Sequence, residues 1–271
     1  MKTRKITLFI SLATIAGLMF FGSCRKNDRD EDTETISSRD NAVAERAYAS
    51  VLRAIGQYVD SSAMLRTAYP NFTVDSVGTA SWPKTLTIDF GPTDQIGIDG
   101  AMRRGKIIAT FSGLYRDSLT TVNISLVGYY HNNNAVTAGS WTMTNKGHNS
   151  SGNMTYNINC TNLKVVNSSG SITWNSSRLA EWTAGQATNT DPSDDVYTFI
   201  GSGSGKSTNA NNFNLTIYNP LTIAMNCDYI EKGGIAVSPL NLSTRYLDFG
   251  SGTCDNSATV SINSVNYSIS Y

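Results

Sequence analysis

The sequence predicts a mainly β protein: an elongated antiparallel β meander or sandwich of about a dozen strands with one N-terminal amphipathic helix. Three observations predict it. From Thr85 to Tyr271 apolar residues recur with period two, the spacing that lines one face of a strand. Gly and Asn interrupt that pattern at short intervals, as turns between short strands require. No helical crossover separates the strands, so neighbours should run antiparallel. Composition agrees, with 15% charged residues and many of the hydroxyl, amide and Tyr side chains that suit the polar faces of β proteins.

The first element is an address. Lys2, Arg4 and Lys5 precede an apolar run from Ile6 to Phe21, then Gly22-Ser23-Cys24. The run is shorter than the roughly 20 residues a spanning helix needs and fits the apolar part of a secretory signal. The segment resembles a bacterial lipoprotein signal. That resemblance implies cleavage after residue 23 and diacylglycerol on the Cys24 thiol, although Phe21 stands where an aliphatic residue is usual. The chain from Cys24 onward has 248 residues. Residues 24–39 are expected to form a disordered acidic tether, being charged and poor in apolar residues, and reach about 50 Å at most. The acidic-rich run after Cys24 also resembles the surface-export signal of Bacteroidota lipoproteins, which implies an outer-membrane, cell-surface location and a partner in the membrane itself. Removing Lys2, Arg4 and Lys5 leaves 18 of 21 positive residues against 21 negative, a balance that offers no nucleic-acid surface.

Residues 40–271 are expected to form one β-rich domain that opens with a helix over 40–66. Val43, Ala47, Val51, Ile55 and Val59 recur every four, flanked by Ala44, Tyr48 and Leu52. Asp40 or Asn41 can cap the start, Gly56 weakens the helix by about 1 kcal/mol relative to Ala, and Pro70 closes the region. One apolar stripe should face a sheet. Strands are expected over 105–113, 121–130, 136–144, 153–166, 170–176, 195–201, 212–218, 221–227, 244–250, 257–263 and 265–270. Asn132-Asn133-Asn134, Asn145-Lys146-Gly147 and Ser168-Ser169-Gly170 read as hairpin turns. The string Asp-Phe-Gly occurs at 89–91 and at 248–250, each time ahead of a polar loop and a further strand.

Besides Cys24, the chain carries Cys160, Cys227 and Cys254. In an oxidising compartment, Cys227 with Cys254 is the preferred disulfide, worth about 3.5 kcal/mol of loop entropy. Cys160 is in phase with Met154, Tyr156 and Ile158 and reads as a buried, inert thiol. The alternative is that all three pack as small hydrophobic residues.

An ordered series then runs along the chain: Asp89-Phe90-Gly91, Gly100, Arg103-Arg104-Gly105-Lys106-Ile107, Arg178 to Gly185, Asp194-Asp195-Val196-Tyr197, Gly201 to Gly205, Cys227-Asp228-Tyr229-Ile230, Asp248-Phe249-Gly250, and Gly252 to Asn256. It resembles a family of Bacteroidota lipoproteins and covers the whole mature domain. The resemblance implies an all-β lipoprotein with no assigned activity. Members of that family often carry a Cys in the loop after the first Asp-aromatic-Gly, where this chain has Thr93-Asp94-Gln95.

Catalysis is not expected, and neither a cofactor nor a metal. His131 and His148 both fall in Asn/Gly-rich segments. Gly201-Ser202-Gly203-Ser204-Gly205 matches the string of a nucleophile elbow but lies outside any strand–helix turn, and reads as a flexible loop. Gly203 to Ser207 lacks the first Gly of a phosphate loop. Glu181, Asp194, Asp195, Glu231 and Asp248 could supply the carboxylate pair of a glycoside hydrolase, the third reading of function. Asp191, Asp194 and Asp195 match no calcium loop spacing. Trp141, Trp174, Trp182, Tyr129 and Tyr130 are the candidate ligand-binding residues, through stacking on sugars or on a partner protein; packing in the core competes with that role. Asp75-Ser76-Val77 and Asp117-Ser118-Leu119 make Ser76 and Ser118 candidate O-glycosylation acceptors. The function expected is a non-catalytic, lipid-anchored interaction or envelope-structural module, whose partner is the membrane and a glycan or another envelope protein. A glycan-binding lipoprotein of a polysaccharide-uptake system is the second reading.

Overall fold

A computed structural model describes residues 31–59, 70–74, 81–188 and 191–271, and Thr33–Tyr271 form one folded unit. Cys24, Ser76 and the expected helical residues 60–66 lie outside the described residues. Helix α1 spans Ile36–Val59. The strands are β1 (Asn71–Val74), β2 (Lys84–Asp89), β3 (Gln95–Ile96), β4 (Met102–Phe111), β5 (Thr121–His131), β6 (Asn134–Thr137), β7 (Ser140–His148), β8 (Met154–Asn167) and β9 (Gly170–Ala184). After a 3-10 turn at Pro192–Asp194 follow β10 (Val196–Lys206), β11 (Asn212–Ala224), β12 (Lys232–Pro239), β13 (Arg245–Ser251), β14 (Ser257–Ile262) and β15 (Val265–Ser270).

These fifteen strands form one antiparallel sheet in the order β1-β2-β4-β5-β6-β8-β9-β10-β11-β12-β13-β14-β15, with β3 on β4 and β7 between β5 and β8. Near-sequential pairing is a meander, not a sandwich. One face of the alternation is buried along the central strands: Met154, Tyr156, Ile158 and Cys160 on β8, Trp174, Ala180 and Trp182 on β9, Phe213, Leu215 and Ile217 on β11.

That face closes on the helix. α1 touches β2, β4, β8, β9 and β12, so the sheet curls around it. Seventeen of its 24 residues are buried, and Arg39 alone is exposed. The single apolar stripe expected from the sequence is therefore corrected: the whole circumference is covered. Ala42, Ala44, Ala47, Ala49 and Ala54 are buried and bring sheet and helix backbones close together. Gly56 leaves room for the Met225 side chain, whose Cε would stand 2.7 Å from a Cβ there. Among the described residues no helix is long and apolar enough to cross a membrane.

The helix starts at Ile36, four residues before the expected start, so 36–39 belong to it and not to the tether. Glu34 caps the first turn, accepting from Ser37 N and Ser37 Oγ, both at 3.1 Å. Asp40 and Asn41 are turned to the sheet instead.

Several strand assignments change. Asn145-Lys146-Gly147 is a bulge inside β7, with Gly147 at φ +79°. Gly201 to Gly205 is no loop: it lies in β10. The expected strands 212–218 and 221–227 are one strand that passes Pro220 through irregular pairing with β12, and 225–227 belong to the turn after it. β12 went unpredicted because Gly233-Gly234 and Pro239 hide its alternation. Asn132-Asn133, at φ +46° and +65°, do turn β5 into β6. The two Asp-Phe-Gly strings build the same device. Gly91 N and Gly250 N donate to Asp89 Oδ1 and Asp248 Oδ1, each at 2.9 Å, both glycines take positive φ, and Phe90 and Phe249 are buried.

Candidate functional site

The titratable residues converge on the helix. Asp228, in the turn between β11 and β12, is the centre. Its Oδ2 accepts from Arg46 Nε at 2.8 Å, Arg46 Nη2 at 2.5 Å and Asn132 Nδ2 at 2.8 Å. Its Oδ1 lies 2.8 Å from His131 Nε2 and 3.7 Å from Arg53 Nη1. Arg53 is fully buried and donates to the carbonyls of Ala224, Asp228 and Tyr229 at 3.0–3.1 Å. Arg46 also donates to the Tyr271 carbonyl and stacks on Tyr229 at 4.0 Å. A second buried pair adjoins these: Arg103 grips Asp99 with both terminal nitrogens and donates to Ser50 Oγ on the helix at 2.9 Å.

Burial alone would raise the Asp228 carboxyl, but its hydrogen bond with His131 and the Arg46 and Arg53 guanidinium charges hold it below the usual carboxylate range. Burial lowers the His131 pKa from its ordinary 6.5, and Asp228 offsets only part of that. His131 is therefore buried neutral. On acidification the unfolded chain takes up its proton first, near pH 6.5, so the stability linked to His131 is complete above that pH and is lost as pH falls toward the lower folded value. Urea unfolding of wild type and His131→Gln between pH 7.5 and 5.5 should show the wild-type advantage shrinking by at most about 1.4 kcal/mol per pH unit. An advantage that grows on acidification would mean that the imidazolium is the bound form.

The rest of the helix is held in the same way. Asp40 Oδ2 accepts from Thr208 N and Oγ1 at 2.6 and 2.8 Å. Asn41 Oδ1 accepts from Trp174 Nε1 at 3.0 Å. Glu45 and Arg178 form a buried ion pair. Tyr48 stacks on Trp141 at 5.0 Å and lies against Trp174 at 5.2 Å.

This corrects the aromatic candidates. Trp141, Trp174, Trp182 and Tyr129 are 0–2% exposed. Trp182 Nε1 donates to Asp195, and Tyr129 Oη pairs with Ser50. Their rings fill the space between sheet and helix and are not available to a ligand. Only Tyr130 is part-exposed, under the Arg104 guanidinium at 3.7 Å. Core packing took the three Trp positions because each is in phase with the buried face of its strand, and Tyr129 turns inward where an irregularity at Gly128 shifts the phase of β5.

Cys227 and Cys254 form a disulfide with Cα atoms 5.9 Å apart, tying the Asp228 turn to the turn before β14. Glu231 lies beside it, and its carboxyl oxygen is within 4.8 Å of both sulfurs. With the sulfurs bonded to each other, that set offers a metal one carboxylate only. Cys160 is a free, buried thiol whose pKa burial pushes up to about 12. The carboxylates considered for hydrolysis or calcium serve local bonds. Glu181 accepts from Asn149 and Asn153, both at 2.8 Å, Asp191 from Ser193 N, and Asp194 from Thr188 Oγ1. His131 is the buried last residue of β5 and His148 the exposed last residue of β7, where turns were expected. Ser118 is exposed in the segment between β4 and β5.

The void beside the helix, lined by Leu52, Tyr115, Met143, Tyr156, Phe199 and Met225 among others, measures about 20 Å³, room for one water. Two other aromatics do face outward. Tyr218 and Tyr246 are each 51% exposed, with ring centroids 5.7 Å apart. Both sit out of phase with the buried residues of their strands, Leu215 and Ile217 for the first and Leu247 for the second. That phase is legible in the sequence. No protein-family model, no curated protein and no solved structure matches this chain.

Proposed function

We propose that the protein is a lipid-anchored outer-membrane lipoprotein, exposed at the cell surface, that works as a non-catalytic interaction or envelope-structural module. The observation that carries this reading is the amino-terminal series of Lys2, Arg4 and Lys5, a 16-residue apolar run, small residues and Cys24. The motif series from Asp89 to Asn256 that resembles Bacteroidota lipoproteins supports it as well. Each buried acyl CH₂ contributes about 0.8 kcal/mol, and more than one chain makes the mooring stable. The interior chemistry is consistent with a scaffold, because Arg46, Arg53, Arg103, Asp99, His131 and Asp228 bind one another and the helix. Work at the outer face of the sheet follows from that arrangement. Cells producing the full chain and fed an alkyne fatty acid should yield a labelled, membrane-bound protein, and Cys24→Ala should remove the label. An unlabelled wild-type protein released into the medium would overturn the reading.

A further inference from the structure

Every second turn of an antiparallel meander falls at the same end of the sheet. The β8–β9, β10–β11, β12–β13 and β14–β15 turns share one end, and the amino-terminal chain enters the fold there. Arg245, fully buried at the start of β13, donates from Nε to the Glu34 carbonyl at 3.1 Å and pairs with the Glu34 carboxylate at 3.4 Å. Asp40, near the start of α1, holds Thr208 in the β10–β11 turn. Leu240 N donates to the Asn212 carbonyl at 2.8 Å, which sets the β12–β13 turn beside the β10–β11 turn. Ten residues separate Glu34 from Cys24, a reach of about 35 Å at most.

This end carries apolar tips. Leu240 and Leu242 are 60% and 37% exposed in the β12–β13 turn, and Val166 and Val265 are exposed near the end of β8 and at the start of β15. Tyr246, the second residue of β13, is exposed behind the leucines, and a Tyr ring suits the depth at which apolar and wet surroundings meet. Exposed leucines alone do not choose a surface, because Leu114 and Leu119 are exposed beside Asp117 in the segment between β4 and β5.

Charge separates the two ends. Residues 160–176, 202–217, 235–247 and 257–271, which build the end where the chain enters, contain no Asp or Glu. The acids that α1 and its approach bring there are engaged, Glu34 by Arg245 and Asp40 by Thr208. Lys164 and Lys206 flank Thr173 across β9 and are exposed. Such side chains lay their stems along an apolar layer and keep the ammonium at lipid phosphate. The turns at the opposite end hold Asp117, Asp191, Asp194, Glu231 and Asp255.

We propose that the end of the sheet where the chain enters rests on the lipid bilayer, with Leu240, Leu242 and Val265 in the headgroup layer and Lys164 and Lys206 against lipid phosphate. This rests on the reading of Cys24 as the lipid anchor and names the surface that the anchor brings to the membrane. The acid-bearing turns then face away from it. The test uses the full-length acylated protein in liposomes of phosphatidylethanolamine and phosphatidylglycerol. A fluorophore is placed at Leu240→Cys or, at the other end of 14-residue β8, at Ser150→Cys. Cys160 is buried and Cys227 is bonded to Cys254, so the dye takes the new thiol. Flotation with the liposomes reports the anchor, and quenching by nitroxide-labelled lipid reports the docking. Quenching should be at least threefold stronger at Leu240→Cys than at Ser150→Cys. Leu242→Asp, and separately Lys164→Glu with Lys206→Glu, should lower it at least twofold with flotation and melting temperature unchanged. Floating protein quenched equally at both positions or more strongly at Ser150→Cys, or quenching that either substitution leaves unchanged, would overturn the docking and leave the anchor standing. Protein that stays out of the liposome fraction would overturn the anchor and the docking together.

Discussion

Replacing Asp228 by Ala is expected to cost about 3–5 kcal/mol of folding stability, the range for removing one partner of a buried ion pair. The carboxylate is 3% exposed on its side chain and faces Arg46, fully buried Arg53 and His131. Without it Arg46, Arg53 and Arg103 share the pocket with Asp99, while Glu231 acts on Arg53 without a direct bond, and guanidinium charge is left in a low dielectric with too little counter-charge. Asn132 loses an acceptor at the same time. Asp228→Asn should lose most of the same stability, because it keeps the shape and removes the charge. Urea unfolding at pH 7.5 followed by far-UV circular dichroism reads the effect. A loss under about 1 kcal/mol, the scale of an exposed pair, would mean that water reaches the cluster.

The second large effect is at Glu45 and Arg178. Glu45→Leu and Arg178→Met should each cost about 3–5 kcal/mol, whereas the double variant should come within about 1 kcal/mol of wild type or exceed it. The asymmetry follows from what the pair leaves undone. Among the described residues, Arg178 Nε and Nη1 and Trp141 Nε1 have no hydrogen-bond partner, and Tyr48 Oη and Ser176 Oγ have only each other. Burial raises the Glu45 pKa and Arg178 opposes this, so desolvation counts heavily against the charged pair. Apolar replacements of similar volume remove both the attraction and that cost. A double-mutant cycle by urea unfolding measures it, and a double variant as unstable as the two single losses added together would contradict the account.

The fold was legible where the pattern has one cause. Period-two alternation marked most strands from β4 to β15, but it merged β6 and β7 into one run over 136–144, split β11 in two and missed β12, while Asn132-Asn133 gave their own turn. It failed where tertiary packing decides the local conformation. Gly201 to Gly205 looks like a loop until Trp174 and Phe213 are placed beside it, and Gly233-Gly234 until Tyr218 covers the second glycine. The helix is the larger lesson. Asp40 and Asn41 read as caps, and Glu45, Ser50, Arg53 and Gln57 lie off the apolar stripe, yet all six are buried. Their partners Thr208, Trp174, Arg178, Tyr129, Asp228 and Met225 lie 79 to 175 residues away in sequence, beyond any local pattern. The aromatic candidates failed for a simpler reason. Trp141, Trp174 and Trp182 have the chemistry to stack on a ligand, but the same alternation that defines the strands points them inward while it points Tyr218 and Tyr246 out.

These charged and aromatic side chains lock α1 inside the curled sheet. Native-state hydrogen exchange across a series of low urea concentrations tests it most directly. The amides of α1 from Ala44 to Ile55 should exchange only through global unfolding, with the same free energy and urea dependence as those of β8, β9 and β10. Exchange of α1 at a lower free energy, with the sheet still protected, would show the helix leaving as a separate unit and contradict the claim.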